Sequence, residues 1–348
     1  MKTRIRLLIA LLCLALGITG AIVVHRLFST TWGDYSFAPM DDGTVQIMNY
    51  RGKAANLEIP ATIKGRAVSG IGAKAFNWRL WLNRVAIPEG VHAIEEGAFM
   101  GCYRLGDVAL PGSLRSIGSK AFASCRTLTG AVLPEGVEAL GDRAFDRCDA
   151  LTGIALPNSL SSIGANPFTR CEKLTRISLS PDHPALSMED GILYEKNDSR
   201  LVWWPYERAT GHIAVPSYIR AIGDSAFCEC DRLTDIEIPD GVTEIGDHAF
   251  YGCTRLTAVT LPGSVRTIGN GAFCGCASLN SIAIPDGVTE IGYLAFYDCA
   301  GLTGIVLPSS VTSIDNSAFI GCRGLTVHVV AGSYAEAYCR NNGLKYVS

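Results

Sequence analysis

Nine cysteines recur at one position of a repeating pattern: Cys102, Cys125, Cys148, Cys171, Cys230, Cys253, Cys276, Cys299 and Cys322. Successive members stand 23 residues apart, except across the step from Cys171 to Cys230. Thiols spaced this way in stacked chain turns, about 5 Å apart, could form disulfides or hold metal ions. Neither chemistry fits the pattern. Four consecutive thiols followed by five offer no natural pairing, and no histidine stands at ligand spacing. Cys228/Cys230 and Cys274/Cys276 are single-residue gaps rather than the pairs zinc uses. The expectation is a ladder of reduced, buried thiols serving as small hydrophobes, with no metal and no cofactor.

Other chemistry is equally sparse. Gly269-Asn270-Gly271 lacks the third glycine of a dinucleotide loop. The six histidines are scattered, and no Gly-x-Ser-x-Gly elbow accompanies them. Glu95-Glu96 reads as a solvated pair on a turn. No catalytic residue is expected, so the chain is not read as an enzyme. The formal charge of −3, without a Lys/Arg stripe, argues against nucleic acid as a partner.

The elements that position these residues follow from the repeat. A Phe series runs Phe76, Phe99, Phe122, Phe145, Phe168, then Phe227, Phe250, Phe273, Phe296, Phe319. Around each Phe the pattern approximates Leu-Pro-x-x-Val-x-x-Ile-Gly-x-x-Ala-Phe-x-x-Cys-x-x-Leu-x-x-Ile-x. A fixed period of 20–30 residues marks a solenoid, in which each coil buries its apolar face against its neighbours. Leu-x-x-Ile-x-Leu, as in 302–307, resembles the strand signature of leucine-rich repeats, which implies that Val259 and Leu261 face the core while Ala258 and Thr260 face out. Strands stacked about 4.8 Å apart make a parallel sheet, and ten or eleven coils a rod roughly 50 Å long. The Pro after each strand (Pro88, Pro111, Pro134) stops it, and Ile-Gly supplies an inward side chain and then a turn residue tolerant of positive φ.

This unit resembles the BspA-type leucine-rich repeat family, matched from about Ile59 to Thr326. The resemblance implies a bacterial, or less often protist, surface or secreted protein linked to adhesion to host or matrix proteins or to other cells. The expected fold is a repeat solenoid, a leucine-rich-repeat-type right-handed coil with one parallel β-sheet, capped at both ends. The expected organisation is a leader at 1–26, a linker and N-terminal β-hairpin cap at 27–58, repeats at 59–179 and 216–326, an inserted island at 180–215 and a C-terminal cap at 327–348. Asp42-Gly43 turns the hairpin, and Ser333 is the N-cap of a short closing helix. Arg79 stands where later coils have Cys, with Trp78 and Trp81 beside it, which reads as cap packing.

Lys2, Arg4 and Arg6 precede the uncharged run Leu7–Val24. Its 18 residues could cross most of a bilayer core of about 30 Å. The basic flank predicts that everything after Val24 is exported, behind either an uncleaved signal anchor or a cleaved signal peptide. The membrane is a partner only through this segment.

Between Cys171 and Cys230 lie 59 positions, 36 more than one period. The surplus carries two strand-like runs, Gly191–Tyr194 and Leu201–Trp204, around a polar turn. Either both island rings shield the core where the coil is interrupted, or, because adjacent residues on a strand point to opposite sides, one of Trp203 and Trp204 is exposed. With Tyr206 and the charged outward row Arg176, Asp235 and Glu237, the exposed ring forms the candidate partner-binding patch. The leading function is a non-catalytic extracellular adhesion or protein-interaction module, with host or matrix proteins as partners. A structural cell-envelope spacer that self-associates is the alternative. A carbohydrate-binding accessory region, holding glycan on the island aromatics, is the weaker one.

Overall fold

The computed structural model describes residues 30–348. The leader lies outside the described residues, and with it the anchor or signal-peptide expectation. Among the described residues no helix is long and apolar enough to cross a membrane. The chain divides into two compact units, one ending at Gly164 and the other spanning Ala165–Ser348.

In the first unit, an antiparallel set of strands, Thr30–Trp32, Tyr35–Pro39 and Val45–Tyr50, opens the coil. Asp42 braces the hairpin turn by accepting from the Thr44 amide at 2.9 Å, while Gly43 takes the positive φ of +85°. Val45–Tyr50 then pairs in parallel with Arg66–Ile71, and the chain winds into regular coils. Each coil contributes two strands rather than one. Three-residue strands such as Asn56–Glu58, Arg84–Ala86 and Asp107–Ala109 form one in-register parallel ladder. Two-residue strands, Ala93–Ile94, Ser116–Ile117, Ala139–Leu140 and Ser162–Ile163, form a second.

That second ladder assigns the Ile-Gly glycine a role other than the one read from sequence. Neither Gly118 nor Gly246 has a positive φ. A Cβ on Gly118 would lie 2.8 Å from the Glu95 carbonyl carbon, and one on Gly246 would lie 2.8 Å from the Asp224 amide nitrogen. Glycine is needed because successive backbones pass too closely for any side chain. The left-handed residue falls two positions later, at Lys120, Arg143 and His248.

Along the core runs a stack of rings. Phe76, Phe99, Phe122 and Phe145 sit with centroids 4.9, 5.3 and 5.4 Å apart and planes within 13° of parallel. The hairpin extends the stack, since Tyr50 packs 5.3 Å from Phe76 and Tyr35 packs 5.1 Å from Tyr50. The cap therefore ends the core by continuing its aromatic column.

The cysteines lie beside this column. Cys102, Cys125 and Cys148 donate Sγ–H to the carbonyls of Phe76, Phe99 and Phe122, one coil back, at 3.1–3.4 Å. The Phe99 and Phe122 carbonyls also accept their own coil's cysteine amide, Phe99 from Cys102 at 3.2 Å and Phe122 from Cys125 at 3.1 Å. Arg79, which replaces cysteine in the first coil, donates Nε–H to the Tyr50 carbonyl at 2.6 Å. It makes the same bond to the aromatic residue before it.

The second unit repeats this plan. Its rings run Trp204, Phe227, Phe250, Phe273, Phe296 and Phe319 at 5.2–5.5 Å spacing, and its thiols run from Cys253 to Cys322 on the Phe carbonyls. At the far end the helix Tyr334–Asn341 lies over the last coil. Ser333 accepts from the Glu336 amide as N-cap, and Tyr338 sets its ring edge-on to Phe319 at 6.3 Å.

A two-coil rhythm overlies the 23-residue one. Ser113 and Ser159 each accept from a glycine amide of the coil before (Gly90 and Gly136) and donate to that coil's Val91 or Val137 carbonyl. Ser264 and Ser310 do the same with Gly241 and Gly287 in the second unit. Acidic-Gly coils thus alternate with Ser coils every 46 residues.

Truncating a stacked ring, as in Phe250→Ala, is expected to cost about 3–5 kcal/mol in chemical denaturation. The twelve described cysteines are all free and buried. Burial pushes the Cys102 thiol up to about 11 and raises those of Cys125 and Cys253 well above the usual thiol range. A thiol with a raised pKa remains protonated and unreactive below that pH. Iodoacetamide at pH 8.5 should therefore leave Cys102, Cys125 and Cys253 unmodified in native protein and label them after denaturation without reductant. Denatured protein that resists labelling would show disulfides instead.

Candidate functional site

The inserted island is a three-stranded antiparallel meander, Leu186–Glu189, Ile192–Glu195 and Arg200–Trp203. Its last strand continues the short-strand ladder of the unit, pairing Leu201 with Ile222. His183, fully buried, holds the entry turn by accepting from the Leu186 amide at 3.0 Å.

Of the two readings of the island tryptophans, the structure bears out the one in which both rings shield the core. Trp203 is 2% exposed and Trp204 6%, and Tyr206 is buried as well. The strand ends at Trp203 and the chain turns at Pro205 into a short 3₁₀ segment, Tyr206–Arg208, so strand alternation does not extend to Trp204. Trp203 packs edge-on to Phe168 at 6.4 Å, and Trp204 lies tilted on Phe227 at 5.5 Å. Together the two rings occupy the core of a coil that has no Phe of its own.

Tyr206 donates its hydroxyl to Asp231 at 2.6 Å, and Arg170 pairs with Glu229 at 3.2 Å. Burial and the Asp231 carboxylate drive the Tyr206 phenol well above its usual range. Among the described residues Arg176 forms no ion pair with Asp235 or Glu237, and Asp235 instead meets His212 at 3.0 Å. Arg176 and Glu237 remain exposed on the outward face of their strands.

Two surfaces in the first unit carry more of what a partner would need. The outward face of the long-strand ladder holds an open pocket of about 440 Å3, lined by Asn56, Leu57, Glu58, Arg84 and Ala86. Arg84 bridges to Asp107 on the next strand at 3.0 Å. Farther along this face the outward residues are Gly130, Val132, Gly153 and Ala155, and Val132 is 81% exposed.

The second surface is at the turn between Phe and Cys. Arg79 packs into the cap as the sequence implies, but Trp78 does not, being 49% exposed with φ +58°. Its ring meets Tyr103 edge-on at 5.5 Å, and Arg126 lies 5.2 Å over the Tyr103 ring. Leu80, Trp81, Tyr103 and Arg104 line a pocket of about 430 Å3. The signal for this site was present in the sequence. Trp78 occupies a column that reads Gly101, Ser124 and Arg147 in the next coils.

The model of the BspA type leucine-rich repeat region matches residues 69–188 and 206–326 in six copies. The chain belongs to the BspA-type leucine-rich repeat family. No curated protein matches it. Among solved structures, this BspA-type chain is similar to a leucine-rich cell surface protein of Faecalibacterium prausnitzii A2-165, at 29% identity and a TM-score of 0.61, covering 92% of this chain and 98% of that one. It also shares its fold with the pneumococcal vaccine antigen PcpA, at 17% identity and a TM-score of 0.59, again covering 92% and 98%.

Since both island rings are buried, Trp203→Ala and Trp204→Ala should each destabilise the protein by about 3–5 kcal/mol. Melting curves in which one variant matches the parent would restore an exposed tryptophan.

Proposed function

We propose that this BspA-type chain is a surface-exposed, non-catalytic module that binds a host or matrix protein through the outward face of its long-strand ladder. The observation that carries this reading is the character of that face around Val132. Small residues, Gly130, Gly153 and Ala155, surround one apolar side chain left 81% exposed. No fold requirement places a valine there, because the inward residues Ala131 and Ile154 already fill the core. A flat face of small side chains loses little rotamer entropy when covered, which favours association over a broad area. The pocket at Asn56, Glu58 and Arg84, with the Arg84–Asp107 pair, adds a polar margin to the apolar patch.

Family membership and the likeness to a bacterial cell surface protein support an exported location. So does the basic flank of Lys2, Arg4 and Arg6 before Leu7–Val24. Protease added to intact cells should then remove the repeats, whereas protection until lysis would contradict export.

Val132→Asp tests the face. A fully exposed strand position should tolerate the change within about 0.5 kcal/mol, while binding to an immobilised matrix protein falls at least tenfold. Parent-level binding by the variant would remove this face from the proposal. Concentration-dependent light scattering of the parent that Val132→Asp abolishes would make a second copy of the chain the partner.

A further inference from the structure

Two unfavourable placements coincide at the Phe–Cys turn of the first unit. Trp78 holds a left-handed backbone conformation that a bulky aromatic side chain rarely adopts, in a column that carries glycine (Gly101, Gly252, Gly275 and Gly321) or a polar residue (Ser124, Arg147, Arg170, Glu229 and Asp298) in other coils. Trp81 keeps its indole Nε1–H buried with no hydrogen-bond partner among the described residues. A leucine or phenylalanine would pack there without that orphaned donor. Neither placement improves the fold, yet both present indole rings at one spot, beside the pocket of about 430 Å3 that Leu80, Trp81, Tyr103 and Arg104 line. Gly101 makes room for the arrangement, because a Cβ there would lie 2.6 Å from the Trp78 ring.

The pocket's polar character narrows the ligand. Arg126 is already balanced by Asp149 at 3.7 Å. Arg104 is exposed and forms no ion pair among the described residues, so one uncompensated cation stands at an aromatic wall. The local backbone offers little to a peptide. The amides of Trp78 and Gly101 are consumed by the next coil, bonding to the Met100 and Ala123 carbonyls at 2.8 Å each, and the Leu80 amide bonds to the Trp78 carbonyl. A peptide that adds as a β-strand is recognised largely through main-chain hydrogen bonds, which this turn cannot supply. A sugar ring needs none of them. Its C–H face lies against an indole or phenol ring, its hydroxyls remain in water, and a carboxylate on the ring meets the guanidinium.

We infer that this pocket binds a carboxylated pyranose, a hexuronic acid unit of an acidic glycan. The site is on the turn of the coil and does not depend on the ladder face, so it stands even if Val132→Asp leaves protein binding unchanged. Calorimetric titration of the purified full-length chain with oligogalacturonate, and with the same oligomer as its methyl ester, tests it. The acid should bind, and the ester at least tenfold more weakly. Trp78→Gly should lower affinity at least tenfold with little change in melting temperature, because glycine suits the left-handed position. Arg104→Gln, at an exposed site, should bind acid and ester alike. Absent binding of the acid, equal binding of acid and ester by the parent, or parent-like affinity in both variants would overturn the inference. So would a Trp78→Gly variant that melts far below the parent, since the ring would then belong to packing.

Discussion

At Phe99, Phe122, Phe227, Phe250, Phe273 and Phe296 the carbonyl is buried beside the aromatic stack, and the structure depends on how its two lone pairs are satisfied. One accepts the amide of the cysteine three residues on, and the other accepts the thiol of the next coil, as at Phe99, which takes Cys102 N–H and Cys125 S–H. A buried carbonyl left short of donors would cost about 1–3 kcal/mol, repeated down the column. The residue at the cysteine position must therefore donate, be small, and tolerate an apolar wall. Cysteine combines all three properties, which alanine or valine cannot. Arg79 supports this account. Where the neighbouring coil is the hairpin cap, a guanidinium makes the same bond to the Tyr50 carbonyl.

The bond also sets register. Rings about 5.2 Å apart leave no freedom for a coil to slip, because a slip would unpair thiol and carbonyl together with the stacked faces. Extra hydrogen bonds then repeat with the coils. Serines link Ser coils to acidic-Gly coils, and arginines such as Arg115 lie so close to Gly136 that a Cβ there would be 2.5 Å from the guanidinium. Alternation over 46 residues follows, since the glycine in one coil exists to admit the arginine of the coil before it. Interior positions are consumed by these demands. The outward strand positions are not, and they are left open to evolve a binding face.

Most of the solenoid was legible because its constraints are periodic. Phe and Cys columns, the inward Val259 and the alternating Ala258 and Thr260 all follow from a 23-residue phase and strand geometry. The second ladder was not legible. Two-residue strands carry no alternation, and Ile-Gly has the same spelling whether glycine serves a positive φ or a close backbone approach. Gly118 and Gly246 serve the latter. The candidate site was legible only in part. Adjacent tryptophans suggest opposite faces if the strand continues, and nothing in the sequence states that the strand stops at Trp203. Trp78 was visible as an oddity in its column, but its half-exposed ring depends on Gly101 one coil later, a relation that exists only after folding.

The island illustrates how far the stack governs what the chain can insert. Thirty-six surplus residues between Cys171 and Cys230 would break the column if they merely looped out. Instead the meander returns a strand to the short ladder at Leu201, and its two indoles fill a coil that lacks phenylalanine. Trp203 engages Phe168 edge-on while Trp204 tilts onto Phe227, so one residue closes each side of the gap. Tyr206 and Arg170, tied to Asp231 and Glu229, then seal the turn edge with half-buried polar bonds. An insertion held this tightly cannot also offer its aromatic rings to a partner. Binding aromatics are free to appear where the column is already complete, and the turn at Trp78, outside an intact stack from Tyr50 to Phe145, meets that condition.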